Sequence, residues 1–159
     1  MSVFGGIFAR GAAAGEVTGE AHLQAMLDVE AALAAAQAEL GLIPDRAARA
    51  IVEHARASEF DVEVLAEGAT STMQPVIPLV AALRERVGPE TAPHVHWGAT
   101  SQDVLDTATM LVARRALVGI TGDATSAGEA ARRLAREHAR TPLLGRTLLQ
   151  PAAPTTFGL

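Results

Sequence analysis

Across 159 residues the chain has no cysteine and no tyrosine, one tryptophan and four phenylalanines. The lack of cysteine excludes a disulfide framework and a thiolate nucleophile. Aromatic residues make up 3% of the chain, while alanine, leucine and arginine dominate, a balance that favours helix over sheet. An all-α fold is expected. No apolar run reaches the roughly 18 residues of a membrane span, and no basic segment leads into an apolar core and a cleavage site. With neither signal, the sequence reads as a cytoplasmic protein without a membrane partner. The formal net charge is −5, from 13 basic and 18 acidic residues, and the basic residues do not cluster, which speaks against a nucleic-acid partner. The length suits one ordinary domain, and 49% hydrophobic residues suffice for a sizeable core.

Residues Met1 to Gly19 are glycine-rich and aperiodic and read as a loosely held arm. From Glu20 to Leu40 the pattern is helical: Met26, Leu33 and Leu40 recur at a spacing of seven, Leu23 and Leu27 stand beside them, and Gly41 supplies a C-terminal stop. Pro44 opens a second helix with Ala47, Ile51 and Val52 on its apolar face. Asp61 to Gly68 reads as a short helix with Val64 and Leu65 inward, and Ala69 to Pro75 as a polar loop. Val76 to Val87 resumes the helix, with Pro78 in its first turn. After Thr100 the pattern runs to about Arg140, where Thr141-Pro142 ends it. At about 1.5 Å per residue this is about 60 Å of helix, against a radius of gyration of about 15 Å for a compact domain of this length. Such a helix needs other helices to cover its stripe of Val104, Ala108, Leu111 and Val112, so self-association is expected. Gly119, Gly122 and Gly128 weaken it, but no proline intervenes, and a continuous helix is the favoured reading.

The segment His94-Val95-His96-Trp97-Gly98-Ala99-Thr100-Ser101-Gln102-Asp103 sets an imidazole, a glycine turn and two hydroxyls at the start of that helix. The first amides of a helix lack intrahelical partners and carry the positive end of its dipole, so an anion can sit there. Thr100 and Ser101 add hydroxyl donors, and His96 adds a ring donor or a positive charge. A purely structural role is compatible with this: Thr100 as N-cap, with Asp103 closing a capping box. His94 and His96 as a metal pair is the weaker reading, since no cysteine and no carboxylate at ligand spacing accompanies them, and no metal is expected. His22, His54 and His138 fall on helical faces and read as ordinary surface or core residues. Near the C-terminus, Pro154-Thr155-Thr156 looks like a helix start cut short, which reads as a fragment of something longer.

Three separated segments then agree with one family. Leu23 to Leu33, His96 to Ala108, and Gly145-Arg146-Thr147 with Gln150-Pro151-Ala152 and Pro154 to Gly158 resemble the fumarase/aspartase superfamily. The likeness is greatest to its 3-carboxy-cis,cis-muconate cycloisomerase branch, with the adenylosuccinate lyase branch next. The resemblance implies an all-helical homotetramer with a shared central bundle and active sites built from three subunits. Residues 1–99 would then be an N-terminal helical domain and residues 100–159 the start of the bundle, in a full length about three times this one. It also implies a catalytic loop, with a serine that resembles a general base, beyond Leu159.

By that resemblance Thr100 and Ser101 hold a substrate carboxylate with Gln102 beside them, and His96 is an electrostatic contact. Gln74 lines the pocket, Thr147 and Gln150 reach a neighbouring subunit's substrate, and Arg146 serves either the substrate or a structural ion pair. Adenylosuccinate lyases carry histidines where this chain has Gln74 and Leu148. A leaving amine needs a general acid, which histidine supplies near neutral pH. A substrate carboxylate that attacks or leaves as a weakly basic anion needs none. The implied activity is therefore lactonisation of a small tricarboxylate without a cofactor. A carbon–nitrogen lyase and a non-catalytic helical assembly module are the alternatives.

Overall fold

In the computed structural model, which describes residues 11–159, the first strong helical pattern becomes a long helix, α2 (Gly19–Glu39), preceded by a short α1 (Ala12–Glu16). The aperiodic arm therefore holds a helical turn between Gly11 and Gly19, and its first ten residues lie outside the described residues. Thr18 caps α2, its Oγ1 accepting from the Ala21 amide at 3.1 Å. At the other end Gly41 takes a left-handed φ of 69°. There the amides of Gly41 and Leu42 donate to the carbonyls of Ala38 and Gln37, the paired closure of a Schellman motif.

The row Met26, Leu33 and Leu40 is not the buried face of α2: Leu40 is 75% exposed at the helix end, whereas Leu23, Leu27, Glu30, Ala34 and Gln37 form the buried row. That row also repeats every seven residues, in alternating steps of four and three that keep it on one side of the helix. That row carries two polar residues, and both matter for the site.

Helix α3 (Asp45–His54) starts from Pro44, whose carbonyl accepts from the Ala47 and Ala48 amides. It buries Ala47, Ala48 and Ile51; Val52, expected inward, is 47% exposed. Helix α4 (Val62–Thr72) is capped by Asp61 Oδ1 on the amides of Glu63 and Val64, with Leu65 half-buried and Val64 outward. It runs four residues past the expected stop at Gly68. The hydroxyls of Thr70, Ser71 and Thr72 donate to carbonyls three or four residues back, which lets these turn-formers stay helical. Met73 then ends α4 in a left-handed conformation, and α5 (Val76–Val87) follows as expected.

The core joins Leu23 and Leu27 of α2, Ile51 of α3, Leu79 and Leu83 of α5, and Val95 of the following loop. The last long helix, α6 (Ser101–Glu137), adds Val104, Ala108 and Val112 at four-residue spacing. Each fully buried leucine contributes about 1.5–3 kcal/mol by leaving water. A polar clasp reinforces the packing. Gln24 donates to the Ala55 carbonyl and to Asp28 and accepts from the Ala57 amide, and Arg115 of α6 binds Asp28 at 2.5 Å.

Two units divide after Leu117. Helix α6 is continuous through Gly119, Gly122 and Gly128, as the absence of proline predicts. In the second unit, β1 (Pro142–Thr147) and β2 (Gln150–Thr156) pair as an antiparallel hairpin, the one sheet among the described residues of an otherwise all-α fold. The expected helix start at Pro154 is therefore a strand. In a two-stranded ribbon a proline without an amide proton is tolerated on the outer edge, and Thr155 and Thr156 favour the extended form. A bulge falls between Leu144 and Arg146, and the Ala153 carbonyl lies 2.6 Å from where a side chain on Gly145 would begin, so only glycine fits there. Among the described residues no helix is long and apolar enough to cross a membrane.

Gly68 of α4 faces Pro78 of α5, whose Cβ lies 2.9 Å from an added methyl. Gly68→Ala gains about 1 kcal/mol of helix propensity but forces two packed helices apart, at about 1–3 kcal/mol. Net destabilisation, read by urea denaturation, is expected. A second test concerns Glu59, whose carboxyl is held below its ordinary value of 4.5 by the hydrogen bond from His54, then by the charges of His54, Arg86 and Arg56. A carboxyl lowered on folding stabilises above its unfolded value and loses that contribution as pH falls through the lowered one. Glu59→Gln should flatten the loss of melting temperature below pH 4.5.

Candidate active site

The loop from Thr91 to Thr100 connects α5 to α6, and three successive residues of it are each held by a different side chain. Arg84 Nη2 donates to the Val95 carbonyl at 3.0 Å, His96 Nδ1 lies 2.6 Å from Glu30 Oε1, and Gln37 Nε2 donates to the Trp97 carbonyl at 2.6 Å. Two of these partners come from the buried row of α2. Val95 itself is fully buried and anchors the loop in the core. His96 and Gly98 both have left-handed backbones, with φ of 58° and 75°. At His96 that conformation costs about 1–3 kcal/mol, and the contacts on either side hold it. At Gly98 the nearest atom to an added Cβ is 3.9 Å away, so φ rather than space requires glycine.

Helix α6 begins just beyond. The Thr100 amide donates to Asp103 Oδ2 at 3.0 Å, and the Asp103 amide donates to the Thr100 carbonyl at 3.1 Å, so the return arm of the capping box forms. The Thr100 hydroxyl makes no hydrogen bond among the described residues. Ser101 Oγ accepts from Gln74 Nε2 at 3.0 Å, while Gln74 Oε1 accepts from the Val76 amide at 3.2 Å. One neutral amide thus ties the start of α5 to the start of α6. A cavity of about 250 Å³ beside them is lined by Val76, Ile77 and Val80 of α5 together with Arg84, His96 and Ser101.

His96 and Ser101 thus line one recess, with Gln74 bonded to Ser101 and Thr100 next in the chain. Gln102 turns along the exposed face of α6, donating to Asp106 at 2.7 Å. His94 ends a single helical turn, and among the described residues no three of His, Asp and Glu group as a metal ion would require. Arg146, Thr147 and Gln150 belong to the hairpin of the second unit. Thr147 pairs with Gln150 across the two-residue turn Leu148-Leu149, its hydroxyl donating to the Gln150 carbonyl at 3.4 Å. Arg146 is exposed and makes no ion pair among the described residues.

Glu30, Gln37 and Arg84 escaped the sequence reading. Glu30 carries the clearest missed signal: a carboxylate three and four residues from Leu27, Met26 and Ala34 stands on a core-facing row. It is 1% exposed, and its Oε2 has no partner; Gln37 Oε1 is likewise unpartnered.

Hydroxyl, amide and imidazole groups meet at a helix start, an arrangement that can hold an anion. A lyase family model matches residues 9–159. The chain belongs to the fumarase/aspartase superfamily of lyases, whose members among its relatives are enzymes. It is 51% identical over 146 residues to a nitrosuccinate lyase of Streptomyces davaonensis, covering 90% of this chain and 31% of that protein. It is 49% identical over 140 residues to a 3-carboxy-cis,cis-muconate cycloisomerase of Bradyrhizobium diazoefficiens, covering 86% and 31%. The crystal structure of the 3-carboxy-cis,cis-muconate lactonizing enzyme of Pseudomonas putida superposes with a TM-score of 0.90 at 40% identity, over 98% of this chain and 36% of that one. The chain spans about a third of the length of the curated relatives it matches.

Among the described residues, Arg84 is the one hydrogen-bond partner of the buried Val95 carbonyl. Arg84→Met should cost about 1–3 kcal/mol, the penalty for an unpartnered buried acceptor. The control is Arg46→Met, which removes an ion pair to Glu90 with both side chains at least 74% exposed, and it should cost under about 1 kcal/mol. Paired chemical denaturation curves check both.

Proposed function

We propose that this chain carries the carboxylate-recognition part of a 3-carboxy-cis,cis-muconate cycloisomerase. The observation that carries the reading is the Gln74–Ser101 contact: a non-ionisable amide, not an imidazole, stands against the serine at the helix start. An amide orients and donates but cannot protonate a leaving group. That suits chemistry in which the group added or expelled is already a weakly basic anion.

In the proposed reaction a substrate carboxylate oxygen bonds to one carbon of a conjugated double bond, and the neighbouring carbon gains a proton, closing a lactone. Negative charge gathers on a second carboxylate as the carbanion-like state forms. Donors fixed toward that oxygen lower the barrier, because they need no reorganisation as the charge develops. Thr100, Ser101 and the first amides of α6 fill this role, with Gln102 beside them, Gln74 holding Ser101, and His96 contributing a ring N–H. Arg146, Thr147 and Gln150 on the hairpin contact substrate in a neighbouring subunit of a homotetramer. The cyclisation requires no cofactor, since no electrons leave the substrate.

Elimination from a nitrosuccinate is a second reading, favoured by the 51% identity to the nitrosuccinate lyase. Nitrite, like a carboxylate, departs as a weak base, so the same argument from Gln74 applies. An adenylosuccinate-type cleavage, which releases an amine, fits it poorly.

Turnover of 3-carboxy-cis,cis-muconate, nitrosuccinate and adenylosuccinate by the assembled enzyme separates the three, with the diene absorbance of the muconate expected to fall. Loss of adenylosuccinate alone would sink the argument from Gln74. In the same assay Ser101→Ala should lower turnover about a hundredfold, the scale of one lost oxyanion donor, while assembly measured by light scattering stays intact.

A further inference from the structure

We infer that Glu30 is a positioning residue that fixes the proton on Nδ1 of His96 and leaves Nε2 as the ring nitrogen that meets the ligand. This deepens the role given to His96 above and rests on that reading for its functional consequence, though not for its geometry. Glu30 sits in the middle of α2, 66 residues before His96 in the chain, and is 1% exposed. Its Oε1 lies 2.6 Å from His96 Nδ1, and its Oε2 has no partner among the described residues.

An ionised carboxylate can only accept, so a contact this short requires a proton on Nδ1. A buried carboxylate with one bare oxygen is costly unless a fixed donor compensates it. Among the described residues Glu30 forms no ion pair with an arginine, and His96 Nδ1 is the hydrogen-bond partner of its Oε1, so His96 is the donor. Two features preset the ring for this contact. The left-handed backbone at His96, φ 58°, sets where the side chain leaves the loop, and the clamps on Val95 and Trp97 prevent the loop from relaxing. His96 also lines the cavity that Ser101 lines. With Nδ1 taken, Nε2 alone can address what binds there. When the ring carries both protons, Nε2–H donates to an anion and Glu30 supplies the counter-charge on the far side, the arrangement by which a carboxylate orients a histidine in other sites.

The test uses this chain without substrate, so it stands apart from the identity of the reaction. Heteronuclear NMR of histidine-labelled protein at neutral pH reads the protonation of each ring nitrogen, with His96 assigned by the signals lost in His96→Asn. The wild-type ring is expected to show a proton on Nδ1. In Glu30→Gln, whose amide can either donate or accept, that single state should be lost in favour of a mixture of tautomers, with the backbone amide spectrum otherwise retained. A wild-type ring lacking the Nδ1 proton overturns the proposal, as does a Glu30→Gln ring unchanged from wild type. Should Glu30→Gln fail to fold, the wild-type ring decides alone: Nδ1 protonated upholds the assignment and Nδ1 bare refutes it.

Discussion

The loop from Thr91 to Thr100 is a stretch of irregular backbone that carries an imidazole up to a helix start, and irregular backbone has no ladder of its own to hold it. Helix α2 supplies the missing restraint. Glu30 and Gln37 are seven residues apart on one face, and they take hold of His96 and Trp97 in succession. Buried polar contacts of this kind are worth little against water but are expensive to break singly, because each leaves an orphan behind. The geometry of the loop is therefore enforced by the cost of alternatives more than by the strength of any one bond.

That restraint explains why the core is arranged as it is. Leu27 and Ala34, one turn to either side of Glu30 on α2, are buried with the carboxylate, and Val95 pins the loop's other side into the same apolar cluster. Core and site share a wall, so packing and chemistry are not separable properties here. The hairpin, by contrast, presents Arg146, Thr147 and Gln150 on a ribbon whose strands are mostly exposed, which is compatible with the proposed contact to a neighbouring subunit.

Helical content, the order of the helices and the start of α6 were readable from composition, capping residues and periodicity, since these depend on local physics. The Thr100–Asp103 box and the Gly41 stop are cases where a short motif carried its own geometry. The errors arose where tertiary packing decided. Val52 and Val64 are apolar yet face outward, and Leu40 continues a seven-residue count past the point where packing covers the helix. Pro154-Thr155-Thr156 fits a helix start as well as a strand, and pairing with β1 across the Leu148-Leu149 turn decides for the strand. The site was half readable for the same reason: Ser101 and His96 announce themselves at a helix start, whereas Glu30 and Arg84 acquire meaning only through contacts 66 and 11 residues away.

The Gln74 clasp has one more consequence. An amide neither gains nor loses a proton over the range in which proteins stay folded. Ser101 therefore receives the same hydrogen bond whatever the acidity of its surroundings, and its hydroxyl proton stays directed away from Gln74. A histidine in that place would exchange donor for acceptor as it titrated, and the hydroxyl would turn with it. The helix start of this chain thus holds its orientation by chemical indifference.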